Sequence, residues 1–301
     1  MNSLTPVARR YDTVSLLTDY GTDDEFVGVL KAVIRDLAPH ATTIDLTHGI
    51  RPFDVRAGSL ALARAISYVP EGVVVAVVDP GVGTRRLAIA VEVAAGAGVL
   101  VGPDNGLLAP AVAVLGGATR AVQLTNTDYQ LATPGATFAG RDVFAPAAAH
   151  LCNGVDVAEL GPPIDPATLL PGTVPLPRVE DDGLHAEVLW VDRFGNCQLN
   201  VGPDELTAWR ADAGALSVVG VAAGETRRAA TVVAAFAELA AGSVGLVLDS
   251  QGMYALALDQ RSAAAELCLA AGDTVVLADV GEVTDTPDGG VTTDVTLRST
   301  R

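Results

Sequence analysis

Lysine is almost absent from this chain of 301 residues: Lys31 stands alone, and 19 Lys and Arg together face 36 Asp and Glu. The net charge of −17 excludes a nucleic-acid partner, because phosphate contacts need clustered cations, and it excludes an anionic membrane surface on the same ground. Cysteine is scarce too. Cys152, Cys197 and Cys268 form no C-x-x-C pair, so neither a disulfide framework nor a zinc site is indicated, and buried free thiols are expected. No run of about 18 apolar residues is long enough to cross a bilayer. The opening MNSLTPVARRYD lacks the apolar stretch of a signal peptide, so a cytoplasmic protein is expected.

The common catalytic signatures are missing as well. There is no G-x-x-x-x-G-K-[ST] phosphate loop, Gly81-Val82-Gly83 lacks the last glycine of a dinucleotide fingerprint, and no G-x-S-x-G elbow occurs. His40, His48, His150 and His185 stand without a partner three or four residues away, so no metal is expected.

What is present is burial on a large scale, with half of the residues hydrophobic. Short apolar runs at Val14–Leu17, Thr43–Leu46, Gly72–Val78, Leu87–Val93 and Val99–Val101 read as strands. Phe26–Leu37, Ala57–Ser67 and Val143–Leu151 read as helices between and after them. This alternation predicts an α/β N-terminal domain over residues 1–172 with a mainly parallel sheet. Gly161 to Pro177, rich in Pro and Gly, reads as the linker region. Beyond it, Leu184–Val191, Ala215–Val221, Val244–Leu248, Met253–Leu258 and Asp273–Leu277 predict a smaller all-β C-terminal domain over residues 173–301, an antiparallel sandwich or barrel.

Ligands of α/β sheets bind beyond the carboxyl ends of the strands, which is where Asp19, Asp79 and the turn Pro103-Asp104-Asn105-Gly106 fall. An aspartate there can accept two hydrogen bonds from a ribose diol, although Asp before a helix is often an N-cap. Asp23 and Asp24, nearer the helix start, fit the capping role better. Asp79-Pro80-Gly81-Val82-Gly83-Thr84-Arg85-Arg86 places an acid and a base seven residues apart across two glycines. Such a loop can fold back to bring Arg86 onto Asp79, as a turn-closing ion pair or as part of a site.

These residues belong to longer blocks: Leu17-Thr18-Asp19-Tyr20-Gly21, Ile50 to Asp54, Val78 to Arg86, Gly102 to Leu108, Thr137-Phe138, Gly140 to Leu151 and Asp192 to Asn196. In that order they resemble the S-adenosylmethionine hydroxide adenosyltransferases, relatives of fluorinases and chlorinases. The resemblance implies cleavage of S-adenosyl-L-methionine at ribose C5′ by water, giving adenosine and L-methionine. It also implies a homotrimer with active sites at subunit interfaces, and no cofactor, the adenosylmethionine being substrate.

The resemblance assigns roles position by position. Asp19 falls where the family grips the ribose hydroxyls, and Phe53 where an aromatic lies near the sugar. Asp192 and Ser250 fall where methionine is held, and Asn196 matches an amide contacting adenine or the amino acid. Asn105, Phe138, Gly140, Phe194 and Gln251 complete the substrate-binding set; the halogenating relatives carry Arg where Gln251 stands. Asp79 and Arg86 match two members of the hydrolytic triad. The third, a histidine, is replaced by Ala139, which neither binds water nor moves a proton. Asp79 and Val82 stand where the halogenases have Tyr and Thr. A carboxylate about 4 Å from a halide opposes it by roughly 4 kcal/mol at an effective dielectric of 20. Ala139 leaves a non-catalytic binder of adenosylmethionine or adenosine as the alternative to the hydrolase, with a halogenase third.

Overall fold

The computed structural model describes residues 9–210 and 217–280, and the chain divides into two compact units, Met1–Val174 and Pro175–Arg301. In the first unit, β1 (Thr13–Thr18), β2 (Thr42–Thr47), β3 (Gly72–Val77), β4 (Ala88–Val93), β5 (Gly98–Pro103), β6 (Ala118–Gln123) and β7 (Pro163–Ile164) form one sheet in the order β2-β1-β3-β5-β4-β6-β7. The β2–β1, β1–β3 and β3–β5 pairings are parallel, while β5–β4, β4–β6 and β6–β7 are antiparallel. The sheet is therefore mixed, which corrects the mainly parallel expectation. The cause is the connection from β4 to β5: the four residues between Val93 and Gly98 are far too few for a parallel crossover. The Gly161–Pro177 segment is corrected too, since β7 inside it adds the edge strand of this sheet.

Every residue of β3 is buried, because helices cover both sheet faces. Val73, Val75 and Val77 point into a core with Leu30 and Ile34 of α1 (Phe26–Leu37) and Leu151. Val74 and Ala76 alternate into a second core with Leu62 of α2 (Val55–Ala65) and Ala111 of α3 (Ala109–Val114). α1 has the predicted bounds, but Glu25 rather than Asp23 or Asp24 is its N-cap, without a side-chain hydrogen bond. α2, by contrast, is capped by Asp54, whose side chain accepts from Ala57 N at 2.9 Å. The last helix opens as a π-turn, Gly140–Phe144, and continues as α4 (Ala145–Cys152).

The second unit is a closed barrel. Its strands are β9 (Gly183–Val191), β10 (Cys197–Leu199), β11 (Val218–Ala223), β12 (Thr226–Val233), β13 (Val244–Leu248), β14 (Tyr254–Leu258) and β15 (Thr274–Ala278). They run β10-β14-β13-β12-β11-β15-β9, and a β9–β10 pairing closes the ring, with β8 (Arg178–Glu180) attached outside β9. Two short helices, α5 (Pro203–Trp209) and α6 (Ala263–Glu266), complete it. One ladder, β12–β13, is parallel, so the barrel is not wholly antiparallel. Ala215 and Leu216, placed by the sequence at the start of β11, lie outside the described residues. Cys152 and Cys197 are buried, whereas Cys268 is exposed, against the expectation of three buried thiols.

Candidate active site

Two strand ends and the start of a helix in the first unit build a cavity of about 270 Å³. Asp19 follows β1, Asp79 follows β3 by one residue, and Phe138-Ala139-Gly140 lead into the π-turn; all five line it, with Tyr20, Phe26, Pro52, Phe53, Val82 and Thr137. The β1 turn is fastened from behind. The buried Thr18 hydroxyl bonds His48 Nδ1 at 2.8 Å and accepts from Tyr20 N at 3.2 Å, while Asp45 Oδ1 lies 3.1 Å from His48 Nε2.

Asp19 is not an N-cap. Its Oδ2 accepts from Phe53 N at 2.9 Å, which leaves Oδ1 without a hydrogen bond from any other described residue. Burial raises the Asp19 carboxyl above its ordinary range; the Phe53 amide opposes this and the negative charge of Asp79 adds to it. Phe53 itself has φ of 69°, a left-handed backbone that strains an aromatic residue by about 1–3 kcal/mol, and the residue is 72% exposed. The Asp19 bond pins that strained residue at the cavity rim.

The Asp79 loop folds back as its spacing implies. Arg86 Nε donates to both Asp79 oxygens, at 2.8 and 2.9 Å, and Arg86 Nη2 donates to Asp79 Oδ2. The pair is largely withdrawn from solvent, with side-chain exposures of 6% for Asp79 and 14% for Arg86. The guanidinium also lies 5.4 Å from the ring centroid of fully buried Phe144. A fork so held fixes the carboxylate as an acceptor aimed from one direction.

Opposite stands an aromatic wall. Tyr20, Phe26 and Phe138 meet with centroids 5.1 to 5.8 Å apart, and Arg141 lies 5.3 Å from the Phe138 centroid. Ala139 lines the cavity but offers it only a methyl group. His150 does not take its place: it packs edge-on against Tyr129 at 4.9 Å. Asn105 is also elsewhere engaged, donating to Val78 O at 2.9 Å and accepting from Leu107 N at 3.1 Å, and so it braces the β3 and β5 ends rather than lining the cavity. A roomier cavity of about 390 Å³ beside α3 is lined mostly by apolar groups, and its one carboxylate, Asp104, accepts from Leu170 N at 2.9 Å. It offers no group suited to chemistry.

The remaining expected residues lie in the second unit, in two turns at opposite ends of the β10–β14 ladder. In one, Asp192 accepts from Phe194 N at 2.9 Å and from Asn196 N and Nδ2 at 2.8 Å each, leaving Phe194 exposed. In the other, Ser250 and Gln251 are exposed in a turn organised by Asp249, which accepts from Gln251 N and Met253 N and from Gln198 Nε2. Glu180, Asp182 and His185 converge at the β8–β9 hairpin, a grouping that includes an acid three residues before a histidine; both carboxylates are exposed.

Sequence reasoning gave no role to Tyr20, Phe26, Pro52 or Thr137. Tyr20, Pro52 and Thr137 stood inside the quoted blocks, which was the one available signal.

Residues 14–161 match the family model described as the SAM hydroxide adenosyltransferase N-terminal domain, and residues 186–276 match its C-terminal domain. The chain is 46% identical to the (R)-S-adenosyl-L-methionine hydrolase of Salinispora tropica, over 86% of this chain and 95% of the relative. It is 40% identical to the protein of the same name from Thermus thermophilus, over 88% and 98%. Similarity to the fluorinase of Actinopolyspora mzabensis is lower, 27% over 64% of this chain and 72% of the relative. Among solved structures, an uncharacterized conserved protein from Thermotoga maritima matches with a TM-score of 0.80 at 34% identity, covering 88% of this chain and 99% of the other.

Proposed function

The chain belongs to the SAM hydroxide adenosyltransferase family, and from that premise we propose that it hydrolyses S-adenosyl-L-methionine to adenosine and L-methionine in the Asp19–Asp79 cavity. One observation carries the assignment of the site: a forked, nearly buried Asp79–Arg86 pair shares a cavity with a carboxylate, Asp19, that keeps one oxygen unbonded.

In this reading Asp19 Oδ1 accepts from the ribose hydroxyls, and the aromatic wall packs against the sugar. Water held by Asp79 attacks C5′ from the side opposite sulfur. The O–C5′ bond forms as the C5′–S bond breaks, and the electron pair returns to sulfur as a neutral thioether. The proton of the water passes to Asp79 and then to solvent. Because the leaving group departs uncharged, a modest base suffices, and positioning contributes most: good alignment supplies roughly 7–11 kcal/mol. Arg86 holds the carboxylate in a fixed orientation through its fork.

The hydrolase relatives are named for the (R) sulfonium epimer, and that epimer is the expected substrate. Halide attack is disfavoured by the Asp79 charge and by Val82, which has no hydroxyl to donate. The methionine and adenine ends are assigned by resemblance to Asp192, Phe194, Asn196, Ser250 and Gln251, in a cytoplasmic homotrimer that light scattering tests.

Chromatography of the purified chain incubated with both sulfonium epimers, beside Ala139→His, tests the function. Adenosine and methionine in equal amounts are the expected result. Absence of both products from both proteins would overturn the reading, and a chlorinated nucleoside in chloride buffer would replace it.

A further inference from the structure

Tyr20 brings to the cavity a hydroxyl that no described residue engages. Its ring is fixed on two sides, edge-on to Phe138 at 5.7 Å and tilted against Phe26 at 5.8 Å. Its backbone is fixed by the bond from Tyr20 N to the buried Thr18 hydroxyl. With ring and backbone both held, the oxygen has one place to be.

That place is beside residues 139 and 140. A Cβ at residue 140 would collide with the Tyr20 hydroxyl and crowd Leu30 and Phe138 at 3.3 Å, so only the bare glycine admits the phenol. Ala139, the preceding residue, has just a methyl group and leaves the neighbouring space open. The phenol also lies within electrostatic reach of the reacting groups. Burial, then the charges of Asp19 and Asp79, hold its proton on well above the ordinary range, against the opposing pull of Arg86. A neutral hydroxyl thus stands in the cavity that Asp79 lines, on the side where the resembled family carries its triad histidine.

We propose that Tyr20 is a catalytic residue of the hydrolysis: its hydroxyl holds the attacking water together with Asp79, in place of the side chain that Ala139 lacks. The inference rests on the hydrolytic reading above. The water donates one hydrogen to Asp79 and the other to Tyr20 Oη, which leaves a lone pair directed at C5′. As the O–C5′ bond forms and the C5′–S pair returns to sulfur, the proton leaves through Asp79. Tyr20 keeps its own proton throughout, so it orients the water and takes no part in the proton balance. A purely structural Tyr20 would fill the aromatic wall, and phenylalanine would do that equally well.

The experiment is a double-mutant cycle of Tyr20→Phe and Ala139→His, reading kcat and KM for adenosylmethionine hydrolysis and the affinity for adenosine. Tyr20→Phe alone is expected to lower kcat by about 10-fold or more, with KM and adenosine affinity within about twofold. In the Ala139→His background the same change is expected to lower kcat by less than about threefold, because the imidazole then holds the water. An active parent chain with unchanged kcat in Tyr20→Phe overturns the assignment, as does an equal loss in both backgrounds. An inactive parent chain that still binds adenosine overturns the hydrolytic reading itself, and the role of Tyr20 with it.

Discussion

Arg86 is gripped from two directions, by the Asp79 carboxylate and by the Phe144 ring, and this double hold decides how the pair must be tested. Removing one partner of a buried ion pair destabilises a fold by about 3–5 kcal/mol, so lost activity by itself does not distinguish catalysis from unfolding. Asp79→Asn is expected to lower kcat per folded molecule by about 10²–10⁴-fold, the range for losing a general base, alongside a lower urea midpoint. Activity surviving in the folded fraction would reduce the pair to a turn closure. The seven-residue spacing across two glycines made the Asp79–Arg86 contact legible, and Asp19 was legible from its strand end. Tyr20 was not, because its approach depends on Gly140, 120 positions away in the chain, having no side chain. The bracing bonds of the Asn105 amide were not legible, because they run to Val78 O and Leu107 N, backbone groups that its position at a strand end does not announce.

At the scale of elements, α4 carries an ionisable group that the cavity does not use. His150 packs edge-on against Tyr129, whose hydroxyl bonds the Glu159 carboxylate at 3.0 Å. Burial lowers the imidazole from its ordinary 6.5. The unfolded chain therefore binds a proton near pH 6.5, whereas the fold does so only at lower pH. Stability linked to His150 is complete above that value and drains away as pH falls through the window beneath it. His150→Phe keeps a ring on Tyr129 and removes the titration. Its urea midpoint should drop less than that of the parent chain between about pH 7.5 and about pH 5.5; equal drops would show that other groups dominate. Elements were legible where large apolar residues set a period, as in α1, and illegible where small or polar ones did not. α3 reads APAVAV and β12 opens TRRAAT, and neither pattern announces a face. The β4–β5 hairpin was within reach, since the short gap between two strands forbids a parallel connection. Closure of the barrel through β9–β10 was not, because a three-residue strand leaves almost no sequence signal.

Across the whole molecule, the charge of −17 acquires a meaning once the substrate is considered. Adenosylmethionine bears a sulfonium and an ammonium against one carboxylate, and so it arrives as a cation. Its products do not: adenosine is neutral and methionine is a zwitterion. The field of an acidic chain thus attracts what must enter and has no net hold on what must leave. Inside the cavity, Asp19 and Asp79 extend this field to the reacting carbon, with Arg86 beside Asp79 as a counter-charge. Salt separates this long-range attraction from the chemistry, because screening shortens its reach from about 30 Å at 0.01 M to about 3 Å at 1 M. Raising sodium chloride from about 20 mM to about 0.5 M is expected to raise KM by about threefold or more, while kcat stays nearly constant. A fall in kcat with unchanged KM would place the salt effect at the Asp79–Arg86 pair instead, and the acidic surface would then serve solubility alone.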